Sequence, residues 1–281
     1  MLGTLTVSFA ERGADLLGIR ELDPFPHQLN VSRRMLQYQQ HGCGDPVVLV
    51  HGWLGGAAVW TPLVSHLSPH FEVISPDLPG FAGSADEAVP ETLEGFAATI
   101  FDLLNSLGVG QFRLLGHSAG GMIAQQMALS HPDRVKKLVL VGTSCRGALP
   151  GRFETIDESI TRLRAEGVKP VADYVAPIWF VDGRQSPYHD LSLKTALQAT
   201  PKGAINCLSA LHIWSACKLL HKIAMPTLVV CGERDRGAVV EESLTLWRGI
   251  PNAQLCIIPN CAHNVHLEAP HVFNQIVANF L

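Results

Sequence analysis

Residues 112–129 read FRLLGHSAGGMIAQQMAL, and this stretch gives the strongest indication of the fold. Residues 112–115 have the pattern of a short buried strand, and residues 121–129 have the spacing of a helix. Between them, residues 116–120 (GHSAG) fit the pattern G-x-S-x-G, in which a serine occupies a sharp strand-to-helix turn. We therefore predict that the turn exposes the Ser118 hydroxyl at the carboxyl edge of a sheet.

Short apolar runs of the same kind recur along the chain. They are Val47–Val50, Phe71–Ser75, Phe112–Leu115, Leu138–Val141, Thr227–Val230 and Leu255–Ile258, and Met35–Gln40 is expected to form an early strand. Because these runs do not alternate apolar with polar residues, they favour strands buried on both faces of a parallel sheet. An amphipathic pattern from Leu93 to Leu107 predicts a helix between two of them. The alternation predicts an α/β fold, a mostly parallel central sheet with helices on both faces.

The alternation stops after Gly142, and the next part of the chain is helical in pattern and interrupted by prolines. We expect residues 145–222 to be an inserted helical cap, residues 35–144 and 223–281 to be the core, and residues 1–34 to be an N-terminal arm. Aromatic residues in the insertion can line a pocket, or they can form a small core of the insertion itself.

Ser118 needs chemical help, because a serine hydroxyl is a weak nucleophile at neutral pH and requires a general base that a third group orients. Asp235 follows the candidate strand Thr227–Val230, and His263 follows the next one. Their chain order, serine, acid, histidine, is that of the Ser-His-Asp triad found after G-x-S-x-G turns. Ala119, at the start of the following helix, offers a backbone N–H to a developing oxyanion.

Several further motifs resemble those of the α/β-hydrolase fold superfamily, and the resemblance extends over residues 35–281. They are Val47-Val48-Leu49-Val50-His51-Gly52-Trp53, Asp77-Leu78-Pro79-Gly80-Phe81-Ala82-Gly83-Ser84, Gly232-x-x-Asp235 and His263-x-x-His266-x-Glu268-x-Pro270. The resemblance implies that the Trp53 backbone N–H is the second oxyanion donor and that Asp77 is a structural turn residue. It also favours Asp235 over Glu233 as the acid and implies loop-fixing roles for His266 and Glu268. Ala82, Asn260 and Ala262 stand where this superfamily often has glycine. We expect the substrate pocket to include His51, His117, Trp179 and Trp214.

Composition excludes several classes of protein. The 281 residues are 47% hydrophobic and only 16% charged, with a net charge of −4. Disordered chains are poor in apolar residues, and a nucleic-acid-binding face needs a basic cluster, so neither class fits. The longest uncharged run, residues 46–71, contains too many His, Gly and Pro residues for a membrane span. With no secretory signal visible at the N-terminus, we expect a cytoplasmic protein that acts on a small molecule and binds neither nucleic acid nor membrane. A homodimer is compatible with the sequence.

The seven cysteines are scattered and contain no C-x-x-C pair, so we expect no disulfide framework. Cys256, Cys261, His263 and His266 have spacings that suit a metal. A histidine that ligates a metal cannot serve as a general base, however, so we expect neither metal nor cofactor.

These observations lead to the hypothesis of a serine hydrolase that cleaves small, largely apolar carboxylic esters or lactones through an acyl-enzyme. The resemblance to 3-oxoadipate enol-lactonases and carboxylesterases agrees with it. The alternatives are a C–C bond hydrolase of ring-cleavage products, a cofactor-free perhydrolase or haloperoxidase, and a non-catalytic ligand-binding receptor. Four arginines near the start of the inserted segment can meet a substrate carboxylate: Arg146, Arg152, Arg162 and Arg164. Acidic residues are interleaved with them, however, and this favours a solvated face of mixed charge.

Overall fold

A computed structural model describes residues 35–281, so the expected N-terminal arm, residues 1–34, lies outside the described residues. Seven strands form one sheet in the order β1-β3-β2-β4-β5-β6-β7. The strands are β1 (Tyr38–His41), β2 (Asp45–Val50), β3 (Phe71–Pro76), β4 (Phe112–His117), β5 (Val135–Val141), β6 (Thr227–Gly232) and β7 (Ala253–Ile258). All neighbouring pairs are parallel except β1 with β3. The predicted mostly parallel sheet is confirmed.

Ten α-helices accompany the sheet in the described part of the chain. They are α1 (Thr61–Leu67), α2 (Leu93–Ser106), α3 (Ala119–Ser130), α4 (Ile156–Glu166), α5 (Val168–Val175), α6 (His189–Ala196), α7 (Pro201–Ile213), α8 (Val240–Gly249), α9 (Val265–Glu268) and α10 (Pro270–Phe280). Short 3₁₀ helices cover Ala57–Trp60, Ala82–Ser84, Ala176–Trp179, Gly183–Gln185 and Leu220–Lys222. The helix predicted from Leu93 is α2, whose N-cap Thr92 accepts a hydrogen bond from the Gly95 N–H.

The interior strands are buried as their sequences predict. Val47–Val50 of β2 have no exposed surface, and the same holds for Leu138–Val141 of β5. Strand β7 differs, because it is the outer strand of the sheet and Gln254 and Ile257 are exposed. Its apolar sequence resembles that of a central strand, so sequence pattern alone places it wrongly in the interior. Strand β1 begins later than predicted and is antiparallel.

Four α-helices, α4 to α7, lie between β5 and β6 in the chain. They are attached to loops of the core by hydrogen bonds. The Trp53 indole Nε1 donates to the Ala204 carbonyl of α7 (3.0 Å), and the Thr200 N–H donates to the Gly80 carbonyl (2.9 Å). A third link joins the Val181 N–H to the Glu268 carboxylate (2.6 Å). The helical segment therefore rests directly on the loops that follow the strands.

A disulfide joins Cys145 to Cys217, so the expectation of no disulfide is wrong for these two cysteines. They are 72 residues apart in sequence, near the two ends of the helical segment. An isolated antiparallel bridge between Arg146 and Ser215 brings these ends together. Because that contact is tertiary, spacing in the sequence does not reveal it. The other five cysteines are free.

Among residues 35–281, no helix combines the length and the apolar character that crossing a membrane requires.

Candidate active site

Ser118 lies between the end of β4 and the start of α3, with φ 54° and ψ −120°. A positive φ is costly for a residue with a side chain, and here tight packing imposes it. A Cβ on Gly116 would lie 2.3 Å from the Gly120 carbonyl oxygen, and a Cβ on Gly120 would lie 2.3 Å from the Val50 oxygen. Only glycine at these two positions lets strand and helix meet so closely. The strained turn presents the Ser118 side chain to a cavity.

His263 and Asp235 form a buried pair at the same edge of the sheet. His263 Nδ1 lies 3.0 Å from Asp235 Oδ1 and 2.9 Å from Oδ2. The backbone N–H groups of Gly237 and Ala238 donate to Oδ1 at 2.7 and 2.9 Å, which fixes the carboxylate. Since a carboxylate only accepts here, Nδ1 carries the hydrogen and Nε2 has a free lone pair. The neighbouring acid, Glu233, points elsewhere and accepts from the Asn260 N–H.

Ser118 and His263 both line this cavity. Within the described residues, neither Ser118 Oγ nor His263 Nε2 has a hydrogen-bond partner, and both atoms remain accessible to solvent. Serine–histidine hydrogen bonds are often long in a free enzyme and tighten when substrate binds. Ser118 and His263 thus face the same cavity, and Asp235 is hydrogen-bonded to the His263 ring.

The loop after β2 brings backbone donors beside Ser118. A Cβ on Gly52 would lie 3.0 Å from Ser118 Cβ, so the loop passes directly over the serine. The Gly52 carbonyl accepts from the Gly55 N–H at 3.0 Å, which closes a tight turn. Within residues 35–281, the N–H groups of Trp53 and Ala119 pair with no acceptor. Both residues line the cavity, so both amides can meet negative charge that develops on a ligand.

His51 lies away from the cavity, contrary to expectation. Its Nε2 accepts from the Leu78 N–H at 2.9 Å, so Nδ1 carries the hydrogen and donates to the Gly52 carbonyl at 2.8 Å. The side chain has no exposed surface, and both nitrogens are used by the backbone. His51 thus holds the loop that carries Trp53. The expected role of Asp77 as a turn residue agrees with its contacts, since its carboxylate accepts from the N–H groups of Ala57 and Gly83.

His117, His263 and His266 form a cluster of rings in the wall of the cavity, where His117 was expected. The His117 ring centroid is 4.7 Å from those of both other histidines. His117 Nε2 donates to the His263 carbonyl at 3.0 Å, which orients the backbone of the histidine loop. Burial, reinforced by the neighbouring imidazoles, holds the pKa of His117 well below its ordinary value. Burial likewise lowers the pKa of His266 to about 3. Both rings are therefore neutral at physiological pH.

The two expected pocket tryptophans have different positions. Trp179 lines the cavity, and its carbonyl accepts from the Asn264 N–H at 3.0 Å. Trp214 is absent from the cavity wall, and its indole Nε1 donates to Gln126 Oε1 at 3.0 Å. Aromatic composition identifies the segment that covers the pocket but does not show which way each ring points.

Sequence reasoning missed two residues of the site. Gly237 is one, since a Cβ there would lie 2.8 Å from His263 Nδ1. The other is Arg152, which lines the cavity, whereas the sequence favoured a solvated face for it. Of the other three arginines in that group, Arg146 pairs with Glu242 and Arg162 pairs with Glu154. Arg164 is exposed. No sequence signal separates Arg152 from them, because the difference lies in the direction of its side chain.

Known proteins resemble the chain both in sequence and in structure. A family model described as alpha/beta hydrolase fold matches residues 45–165. The poly(3-hydroxyalkanoate) depolymerase of Ectopseudomonas oleovorans is 32% identical over 241 residues, which cover 84% of each chain. The 2-hydroxy-6-oxo-6-phenylhexa-2,4-dienoate hydrolase of Burkholderia cepacia is 29% identical, with 91% of this chain and 94% of that protein covered. A thermophilic esterase from Thermogutta terrifontis superposes with a TM-score of 0.76 at 29% identity, covering 87% of this chain and 92% of the other.

Proposed function

This chain belongs to the α/β-hydrolase fold family, and from that premise we propose that it is a serine hydrolase of small carboxylic esters or lactones. The observation that carries the proposal is the His263–Asp235 pair, buried at the edge of the cavity into which Ser118 is presented. A histidine that a buried carboxylate orients, in the same cavity as a serine, is the arrangement by which a general base activates a serine nucleophile.

In the proposed reaction, Ser118 Oγ attacks the substrate carbonyl carbon while His263 Nε2 takes the hydroxyl proton. Asp235 keeps the proton of His263 on Nδ1 and stabilises the imidazolium that forms. The backbone N–H groups of Trp53 and Ala119 donate to the oxyanion, and the loss of one such donor typically costs about 10²–10³ in rate. The imidazolium then protonates the leaving alcohol, and an acyl-Ser118 ester remains.

The second half of the reaction uses the same groups. His263 Nε2 removes a proton from a water molecule, which attacks the acyl carbonyl, and Ser118 leaves as the alcohol with the proton returned to it. The site requires no metal for these steps, since a neutral imidazole is the base.

We also propose that residues 145–222 serve as the cap of this site. Trp179 and Leu208 belong to that segment and line the same cavity as Ser118 and His263. Apolar side chains in the wall of this cavity can exclude water during acylation and favour substrates with an apolar body.

Replacement of the nucleophile tests the proposed chemistry. Ser118→Ala should abolish both ester turnover and covalent labelling by a fluorophosphonate probe, since the attacking oxygen is gone. Ser130→Ala, at the exposed end of the same helix, is the matched control and should retain both. Labelling that persists in Ser118→Ala would assign the nucleophile to another residue.

A second candidate is a hydrolase that cleaves a carbon–carbon bond, and the likeness to the dienoate hydrolase of Burkholderia cepacia favours it. The same serine, histidine and aspartate can serve that chemistry. Turnover of a vinylogous diketone without turnover of simple aryl esters would select this candidate, and the opposite result would select the esterase.

A further inference from the structure

The cavity wall contains one arginine and no Asp, Glu or Lys in the described residues, and that arginine is Arg152. It lies in the connection between β5 and α4. Its guanidinium packs on two rings, with Cζ 4.3 Å from the Phe153 centroid and 5.9 Å from the Trp53 centroid. Arg152, Trp53 and Ser118 line the same cavity, so the cation and the candidate nucleophile face one space.

The donors of Arg152 are only partly used by the protein. Nη1 donates to the Glu154 carbonyl at 2.6 Å and to Ser159 Oγ at 3.0 Å. No carboxylate within residues 35–281 forms an ion pair with Arg152. The nearest acid is already occupied, because the Glu154 carboxylate accepts from Ser159 Oγ and pairs with Arg162. A guanidinium has five N–H donors in a planar fork, so Nε and Nη2 are left for a ligand.

This cation is also half-buried. Burial lowers the pKa of Arg152, although the nearby Glu154 opposes the shift. An arginine stays protonated under these conditions, so a positive charge is held in a cavity whose other walls are largely apolar. A charge in such surroundings is costly unless a counter-ion pairs with it, and a planar carboxylate matches the fork of a guanidinium.

We propose that Arg152 is a specificity-determining residue that binds a carboxylate of the substrate, distinct from the ester or lactone carbonyl that reacts. The preferred substrates are then esters or lactones that carry a free acid. This inference rests on the proposed hydrolysis at Ser118. The competing view, in which Arg152 only fixes the chain at Glu154 and Ser159, predicts no such preference.

The test compares anionic with neutral esters of matched length. One pair is mono-4-nitrophenyl adipate and 4-nitrophenyl hexanoate, with the acid in the acyl part. The other pair is 3-(butyryloxy)benzoate and phenyl butyrate, with the acid in the alcohol part. The quantity measured is the ratio of kcat/KM for the anionic and the neutral ester. A ratio taken within one protein does not depend on the fraction of that protein that is folded.

In at least one pair, we expect Arg152→Gln to lower this ratio about 10- to 100-fold, the range for a hydrogen bond to a charged group. Arg152→Lys should restore part of it, because the charge returns without the fork. Arg164→Gln removes an exposed charge from the same segment and should leave the ratio unchanged. An unchanged ratio in Arg152→Gln for both pairs overturns the proposal.

A binding measurement separates this proposal from the proposed hydrolysis. Calorimetry with Ser118→Ala compares adipate monoamide, which has one carboxylate, with neutral adipamide. If Ser118→Ala binds adipate monoamide and Ser118→Ala/Arg152→Gln does not, the anion site is supported. If in addition the wild type turns over no ester, only the proposed hydrolysis is refuted. Active hydrolysis with equal binding of both compounds refutes the anion site alone.

Discussion

At the scale of single residues, Gly237 determines where the His263 ring can lie. A Cβ at this position would be 2.8 Å from Nδ1 and 2.9 Å from Cε1 of that ring. Gly237→Ala keeps the N–H that donates to Asp235, so its effect is steric. We expect the ring to be displaced and kcat/KM for ester hydrolysis to fall about 10²-fold, the cost of a misplacement of about 1 Å.

The control for this substitution is Gly110→Ala, because a Cβ there meets no atom within 4 Å. It should alter kcat/KM by less than about twofold. Equal activity of the two variants would mean that the histidine loop can shift without loss of function.

His266 gives the protein a distinct dependence of stability on pH. Its folded pKa is about 3, and the unfolded value is about 6.5, so between these limits the unfolded chain binds a proton that the folded chain does not. The free energy of unfolding therefore rises with pH in this window, by up to about 1.4 kcal/mol per pH unit from this residue. This contribution of His266 to the free energy of unfolding is lost progressively as the pH falls from about 6.5 to about 3.

His266→Phe removes this contribution without breaking a hydrogen bond, since neither ring nitrogen has a partner in the described chain. Urea unfolding at several pH values between 4 and 7 should show a shallower slope for this variant than for the wild type. His70→Gln, at an exposed histidine, should keep the wild-type slope. Parallel curves for wild type and His266→Phe would show that the pKa of His266 is the same in the folded and the unfolded chain.

Site residues that belong to a local sequence motif could be predicted, whereas those that depend on tertiary packing could not. Ser118, Asp235 and His263 each come shortly after the end of a strand. The structure has Ser118 and His263 on the wall of one cavity and Asp235 hydrogen-bonded to His263. Arg152 and Gly237 matter through a side-chain direction and a missing Cβ, which depend on tertiary packing. Ala82 is intermediate, because its φ of 42° fits a position where related sequences often have glycine, yet alanine accepts the strain.

At the scale of elements, one carboxylate joins the helical segment to the histidine loop. Glu268 of α9 accepts from the Val181 N–H at 2.6 Å and from the Ala262 N–H at 2.5 Å. Ala262 directly precedes His263, so this link transmits the position of the segment to the base. The motif around His263 predicts a loop-fixing glutamate, but the partner in the helical segment is visible only in three dimensions.

Glu268→Gln should loosen this junction. The amide offers one acceptor oxygen, so one of the two backbone N–H groups loses its partner, which costs about 1–3 kcal/mol. We expect a lower free energy of unfolding in urea and a reduced kcat, because the loop of His263 is held less firmly. Glu241→Gln, on an exposed position of α8, should change neither. If Glu268→Gln has the stability and the kcat of the wild type, contacts other than the Glu268 carboxylate must hold the loop of His263.

At the scale of the whole molecule, the sheet was predictable because each inner strand is a continuous apolar run that only a doubly covered sheet can bury. The order of strands was not, and β7 shows why. Its sequence is as apolar as that of β6. Nevertheless β7 pairs with only one strand of the described sheet, β6, and therefore lies at the edge. The path of the helical segment over the edge also depends on long-range contacts, among them the Cys145–Cys217 disulfide.

That disulfide should stabilise the folded protein as a whole. It closes a loop between residues 72 apart, and constraint of the unfolded chain by a loop of this length contributes at most about 4.4 kcal/mol. A reductant such as TCEP should therefore lower the urea midpoint of the wild type. Cys145→Ala/Cys217→Ala should have the lower midpoint from the start and no response to TCEP. Thiol titration of the unfolded, unreduced wild type should detect the five free cysteines. Detection of all seven, with a midpoint insensitive to TCEP, would show that the two ends of the helical segment are held by their backbone contacts alone.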